Sequence, residues 1–89
     1  MERADVRAVF AQLGEGRAAR IVLEYSDEVK EVMAHSARTR MLTWRPIGKP
    51  YKLNGTRVRT LEIYPGPRFI SHLLADALHP SISDITLRE

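Results

Sequence analysis

The chain has 89 residues, of which 44% are hydrophobic and 28% charged, and its formal net charge is +3 at pH 7. This length and composition predict one globular α+β domain over residues 1–89 and leave no room for a second domain. The absence of cysteine excludes disulfides, catalytic thiolates and thiolate metal sites. With no secretory leader and no apolar run that could span a bilayer, a cytoplasmic protein without membrane contact is expected.

One apolar stripe with helical spacing marks the start of the chain. It predicts a helix over residues 3–13, which the following glycines end. Because this helix precedes every predicted strand, it must bury its stripe on the sheet or on a second subunit, and a homodimer is one of these two alternatives. The stripe consists of Val6, Val9, Phe10 and Leu13.

A period-two alternation follows and predicts a strand over residues 18–26. Ser26 is then a candidate N-cap, and Asp27 and Glu28 supply acids to the first turn of a helix predicted over residues 27–37. The same three residues could instead turn a hairpin, so a strand over 27–37 stays open as the alternative.

The centre of the chain holds one predicted strand and a set of residues that break strands. The strand is predicted over residues 39–45. Pro46, Gly48 and Pro50 are expected to end it, because proline lacks the amide hydrogen that a ladder needs.

Asn54-Gly55 is the strongest hairpin signal, since this pair favours the positive backbone angles of a type I′ turn. The next strand is predicted to start at residue 51 or 56 and to end at residue 64. Pairing across the turn places Lys52, Arg57 and Arg59 on one face of the hairpin. The expected cross-strand pairs are Leu53 with Thr56, Lys52 with Arg57, and Tyr51 with Val58.

In the strand that follows Asn54-Gly55, the apolar residues do not all fall on one face. Strict alternation places Leu61 and Ile63 on the same face of the strand as Arg57, whereas it places Val58 on the opposite face. A bulge near Thr60 is therefore predicted, where the buried face would change sides.

A broad apolar stripe predicts the last helix over residues 67–79, with Pro67 in its first position and Pro80 at its end. A short alternation then predicts an edge strand over residues 83–88. In chain order these elements form an N-terminal helix followed by a ferredoxin-like βαββαβ antiparallel sheet with its helices on one face. A helix, a β-meander and a C-terminal helix form the alternative, should residues 27–37 be a strand.

The charge is distributed asymmetrically along the chain. Residues 32–61 contain no acid and carry +7, whereas the remaining residues carry −4. Basic groups interleaved with aromatic rings suit a nucleic-acid surface, where cations displace counterions and rings stack on bases. The bases are Arg38, Arg40, Arg45, Lys49, Lys52, Arg57 and Arg59, and the rings are Trp44 and Tyr51.

The leading hypothesis is a small nucleic-acid-binding or regulatory protein whose central hairpin, residues 38–59, contacts phosphates of DNA or RNA. Its bases are expected to lie close together in space, with Tyr51 and Trp44 as stacking platforms. The alternative for Trp44 is a core position, because it shares strand parity with Leu42. The alternative function is a protein-interaction adaptor or inhibitor that docks the same hairpin on an acidic partner surface.

No residue pattern predicts catalysis, a cofactor or a metal site. Arg68, His72 and Asp76 are spaced by four residues on the last helix, which indicates a solvated ion-pair stripe rather than a proton-transfer pair. The protein is therefore not expected to be an enzyme.

Overall fold

The computed structural model describes residues 1–14 and 16–88. Within them it contains three α-helices on one side of a four-stranded antiparallel sheet, which confirms the predicted α+β class. The helices are α1 (Arg3–Ala11), α2 (Asp27–Arg38) and α3 (Ser71–Leu78), and a short 3₁₀ turn (His79–Ser81) follows α3. The strands are β1 (Ala19–Glu24), β2 (Leu42–Leu53), β3 (Thr56–Pro65) and β4 (Ile82–Leu87).

The strands lie in the order β2-β3-β1-β4, and each neighbouring pair is antiparallel. Ile21 of β1 pairs with Leu61 of β3 and with Ile85 of β4, so these buried side chains share one face. All three helices bury their apolar stripes against that face. The other face of the sheet carries no helix within the described residues.

The sequence of α2 explains why it forms a helix. The Ser26 hydroxyl accepts a hydrogen bond from the Val29 amide at 3.1 Å, and Asp27 and Glu28 occupy the first turn. The cap satisfies one of the free N–H groups, and the acids favour the positive end of the helix dipole. The predicted helix is thus confirmed, and the meander alternative, which needs a strand here, is wrong.

The predicted end of β2 at residue 45 is wrong. A single strand runs from Leu42 to Leu53 through Pro46 and Pro50. Since β2 is an edge strand, one side of its backbone faces no neighbour, and an imino acid on that side removes no ladder hydrogen bond.

The bulge that was predicted near Thr60 of β3 lies instead in β2, the other strand of the hairpin. Ile47 pairs with Thr60 and Tyr51 with Val58, so the register shifts within β2, where Gly48 adopts φ 71°. Glycine tolerates this left-handed conformation because it has no Cβ. The alternation of β3 is therefore unbroken, and its buried face does not change sides.

Helix α3 begins four residues later than predicted, and Pro67 is not its first residue. The Gly66 amide donates to the Met41 carbonyl at 2.9 Å, and the Arg68 amide donates to the Arg40 carbonyl at 3.0 Å. These bonds hold residues 66–68 against the chain that enters β2. Tertiary hydrogen bonding thus overrides the local preference for helix.

Helix α1 buries its stripe within its own chain. Val6 and Phe10 are fully buried, and the Phe10 ring stacks on Phe69 at 6.5 Å between centroids. An ion pair also joins α1 to α3. The Arg7 guanidinium donates two hydrogen bonds to the Asp76 carboxylate, at 2.6 and 2.9 Å. Asp76 therefore pairs with α1 and not with Arg68 of its own stripe.

Replacing Asp76 with asparagine is expected to reduce the acid sensitivity of folding. Hydrogen bonding from Arg7, with a smaller contribution from Arg3, lowers the pKa of Asp76 from its ordinary value of 3.8 to about 2. Because the pKa of Asp76 is lower in the folded state than in the unfolded state, the ion pair stabilises the protein at pH values above the unfolded-state pKa. This contribution to the free energy of unfolding disappears as the pH falls through the folded-state pKa.

Urea unfolding at a series of pH values checks this prediction. Wild type should be more stable than Asp76→Asn near neutral pH, and the gap should close as the pH falls from about 4 to about 2. A gap that stays constant over this range would contradict the assignment of the ion pair.

Candidate functional site

The β2–β3 hairpin extends past the rest of the sheet. Glu24, the last residue of β1, pairs with Val58, so the residues closer to the tip have only each other as strand neighbours. We call residues 48–57 the arm. Its turn is as predicted, with Asn54 at φ 52° and Gly55 at φ 80°. The three predicted cross-strand pairs are also confirmed.

The arm carries three cations and no acid. Lys52 and Arg57 are cross-strand partners and share a face, as predicted, and Lys49 lies in the bulge. All three side chains are exposed, and none forms a salt bridge within the described residues. The arm is therefore a projecting two-stranded ribbon with a local charge of +3.

The opposite face of the arm is apolar and exposed. Tyr51 exposes 47% of its surface and Leu53 exposes 56%. Val58, at the base of the arm on the same face, is buried. The tip of the arm thus offers one basic face and one apolar face.

Arg59 lies at the base of the arm and is held in place. Its guanidinium donates to the Gly48 carbonyl at 3.3 Å and lies 5.9 Å from the centroid of the Tyr25 ring. The ammonium group of Lys30 also lies over the Tyr25 ring, 5.6 Å from its centroid. Arg59 therefore braces the bulge and is less available to a ligand than Lys52 or Arg57.

Arg45 lies in a polar cluster on the helix-free face of the sheet. It donates two hydrogen bonds to Glu62, at 3.1 and 3.0 Å, and the Tyr64 hydroxyl and the Arg88 guanidinium contact the same carboxylate. These long side chains cover Glu62, which keeps only 3% of its side chain exposed. Part of the charge of Arg45 is thus neutralised inside the fold.

This cluster was not predicted from the sequence. The alternation of β3 places Glu62 on the outward face, where an acid needs no partner. The pairing of Arg45 with Glu62 depends on the register after the bulge. Only knowledge of the position of that bulge could have brought the two residues opposite each other.

The remaining predicted bases lie at the far end of the molecule. A 12-residue strand spans at most roughly 36 Å between its end Cα atoms, which is about the longest dimension of the molecule, 35 Å, so the two ends of β2 lie far apart. Arg38 and Arg40 precede β2 and therefore lie far from the arm. The expectation that all seven bases lie close together is wrong, because β2 is one long strand.

Those two arginines belong to a separate surface. Together with Arg68 they line an open cavity of about 650 Å³ beside the segment that leads into α3. Arg38 also donates to Glu31 at 3.2 Å. This end of the molecule is basic too, but it is a second site and not a continuation of the arm.

Trp44 lies on the helix-covered face of the sheet. Its indole N–H donates to the Met33 carbonyl of α2 at 3.3 Å, and its ring packs against the hydrophobic core. This position matches the core alternative and separates Trp44 from the exposed Tyr51.

The described residues contain no group of three or more histidine, aspartate or glutamate side chains placed to hold a metal ion. None of the helices within residues 1–14 and 16–88 is long and apolar enough to cross a membrane. Comparison with protein-family models, with curated proteins and with solved structures gave no match.

Proposed function

We propose that the protein binds nucleic acid through its arm, mainly by contacts to phosphates. One observation carries the proposal: a projecting two-stranded ribbon bears Lys49, Lys52 and Arg57, all exposed and without salt bridges in the described part of the chain. Cations that are not neutralised within the fold are the ones that can displace counterions from a phosphate backbone.

The shape of the arm fits this use. A two-stranded β-ribbon is narrow enough to enter the major groove of B-form DNA, and it can also follow the backbone of an unpaired strand. Tyr51, exposed on the other face of the arm, provides a ring on which an unpaired base can stack. Phosphate contacts position a protein without reading sequence, so we expect affinity for many unrelated sequences.

Replacing Lys52 and Arg57 together with glutamine tests the proposal. We expect affinity at low salt to fall at least about tenfold, uniformly across sequences, because two phosphate contacts are lost. The slope of log affinity against log salt concentration should decrease in magnitude by about 2. Fluorescence anisotropy with short single- and double-stranded DNA and RNA measures both quantities.

Arg38→Gln with Arg68→Gln is the matched control. It removes the same charge from the opposite end of the molecule, so it should change the salt slope far less. Equal losses for the two double variants would show that net charge, and not the arm, determines binding. Absence of any binding by the wild-type protein at low salt would refute the proposed function.

One observation favours the alternative of an adaptor that docks on an acidic protein surface. Leu53 is more than half exposed at the tip of the arm. Phosphate contacts make no use of an aliphatic side chain, whereas the core of a protein interface does.

We also propose that β1–β4 with α2 and α3 form a ferredoxin-like arrangement to which α1 and the arm are additions. Supporting this, β3 lies between β1 and β2, and β1 lies between β3 and β4. Each βαβ unit is thus split by one inserted antiparallel strand.

A further inference from the structure

A groove between α2 and α3 is open to solvent. It encloses about 610 Å³, and its walls include Val32, Met41 and Leu73. Leu73 leaves 50% of its surface exposed. The volume lies within the range of about 300 to 1,000 Å³ typical of binding clefts, so the groove can take up several side chains of a partner.

The α2 side of the groove is acidic. Glu28 and Glu31 line it, and both are exposed. Glu31 accepts from Arg38 at 3.2 Å, but both side chains of this pair are largely exposed. Such surface pairs contribute little, so an incoming cation can replace Arg38 with little loss.

The arm has the complementary character. Tyr51 and Leu53 supply exposed apolar groups on one face of the arm, and Lys52 and Arg57 supply cations on its other face. The arm of the same chain does not occupy the groove: Lys52 and Arg57 line another cleft beside the first turn of α2, which shares only Glu28 with the groove. One chain therefore presents both halves of an apolar and oppositely charged interface, and no residue of its own arm lines the groove.

We propose that the arm of a second copy binds in this groove, so that two chains form a dimer by exchanging arms about a two-fold axis. The arm then enters with its basic face toward α2, where Lys52 and Arg57 meet Glu28 and Glu31 of the other chain, and with its apolar face toward α3, where Tyr51 and Leu53 contact Leu73. A two-fold axis makes the contact reciprocal and closes the assembly at two chains. The proposal goes beyond nucleic-acid binding and does not depend on it, but both contacts use Lys52 and Arg57, so phosphate and the partner's groove compete for the arm.

Charge reversal on each half tests the proposal. A groove variant, Glu28→Lys with Glu31→Lys, and an arm variant, Lys52→Glu with Arg57→Glu, each place like charges together. Analytical ultracentrifugation over micromolar to submillimolar concentrations should show a wild-type dimer and, for each variant alone, a dissociation constant at least about 100-fold higher. An equimolar mixture of the two should form a dimer again, because each arm then meets a groove of opposite charge.

Glu2→Lys with Asp5→Lys, at the start of α1, is the control. It changes the net charge by the same amount as the groove variant but should leave the dimer intact. Leu73→Ser, at an exposed position, is a second variant that should weaken the dimer without any change of charge. Circular dichroism establishes that each variant is folded.

A monomeric wild type at all concentrations would overturn the proposal, and so would a dimer that the reversals leave unchanged. Failure of the mixture to restore association would overturn it as well, because the arm and the groove would then not bind each other. Nucleic-acid binding is measured on the groove variant in parallel. Since that variant retains the arm, loss of its dimer with retention of nucleic-acid binding separates the two proposals.

Discussion

Replacing Phe10 with alanine is expected to lower the free energy of unfolding by about 3 to 5 kcal/mol, the range measured for truncating a buried phenylalanine. The ring is fully buried and stacks on Phe69. Its removal leaves a cavity between α1 and α3 and weakens the contact by which α1 closes the core. Domains are stable by only about 5 to 15 kcal/mol, so this variant should lose a large fraction of its stability and unfold at a clearly lower temperature than wild type.

Phe10→Leu is the matched variant, since it keeps an apolar side chain in the same place and should lose much less stability. Chemical denaturation followed by circular dichroism and by Trp44 fluorescence measures both variants. A loss below about 1 kcal/mol for Phe10→Ala would mean that α1 is not part of the core. The apolar stripe of α1 would then be available to a partner.

The N-terminal stripe shows what periodicity can and cannot predict. The spacing of Val6, Val9 and Phe10 correctly predicted a helix with one buried face. It did not identify the surface that covers this face, which is α3 and β4 of the same chain and not a second subunit. Helical spacing depends on local geometry, whereas the covering surface depends on the whole topology.

The hairpin turn was predictable because its chemistry is local. Asn54 and Gly55 both adopt positive φ, a conformation that few other residues accept. The continuity of β2 was not predictable from the same segment. Whether Pro46 ends a strand depends on which side of the strand has a neighbour, and only the assembled sheet decides that.

The candidate site was predicted in part for the same reason. Lys52 and Arg57 were correctly paired, because the turn fixes their register. Arg45 was predicted as a phosphate ligand, yet the structure places it against the buried Glu62. A run of positive charge in the sequence does not show which cations already have partners, since acids from distant strands supply them.

Gly66→Ala is expected to destabilise the protein by about 3 kcal/mol, because the added methyl group overpacks a site closed by backbone atoms. A Cβ at Gly66 would overlap the Arg40 carbonyl oxygen and lie 2.9 Å from its carbonyl carbon. Backbone atoms cannot rotate away as a flexible side chain can, so residues 66–68 must move. The hydrogen bonds from Gly66 and Arg68 to residues 40 and 41, at 2.9 and 3.0 Å, would then be strained or lost.

Gly14→Ala provides the control for the same chemical change. A Cβ at Gly14 would meet no atom within 4 Å, and Gly14 does not adopt positive φ. Alanine there should leave stability unchanged or raise it by up to about 1 kcal/mol, since it restricts the unfolded chain. Thermal unfolding of the two variants side by side gives the comparison. Equal stabilities would show that residues 66–68 are not held against the entry to β2, whereas a large loss confined to Gly66→Ala would confirm the contact that delays the start of α3.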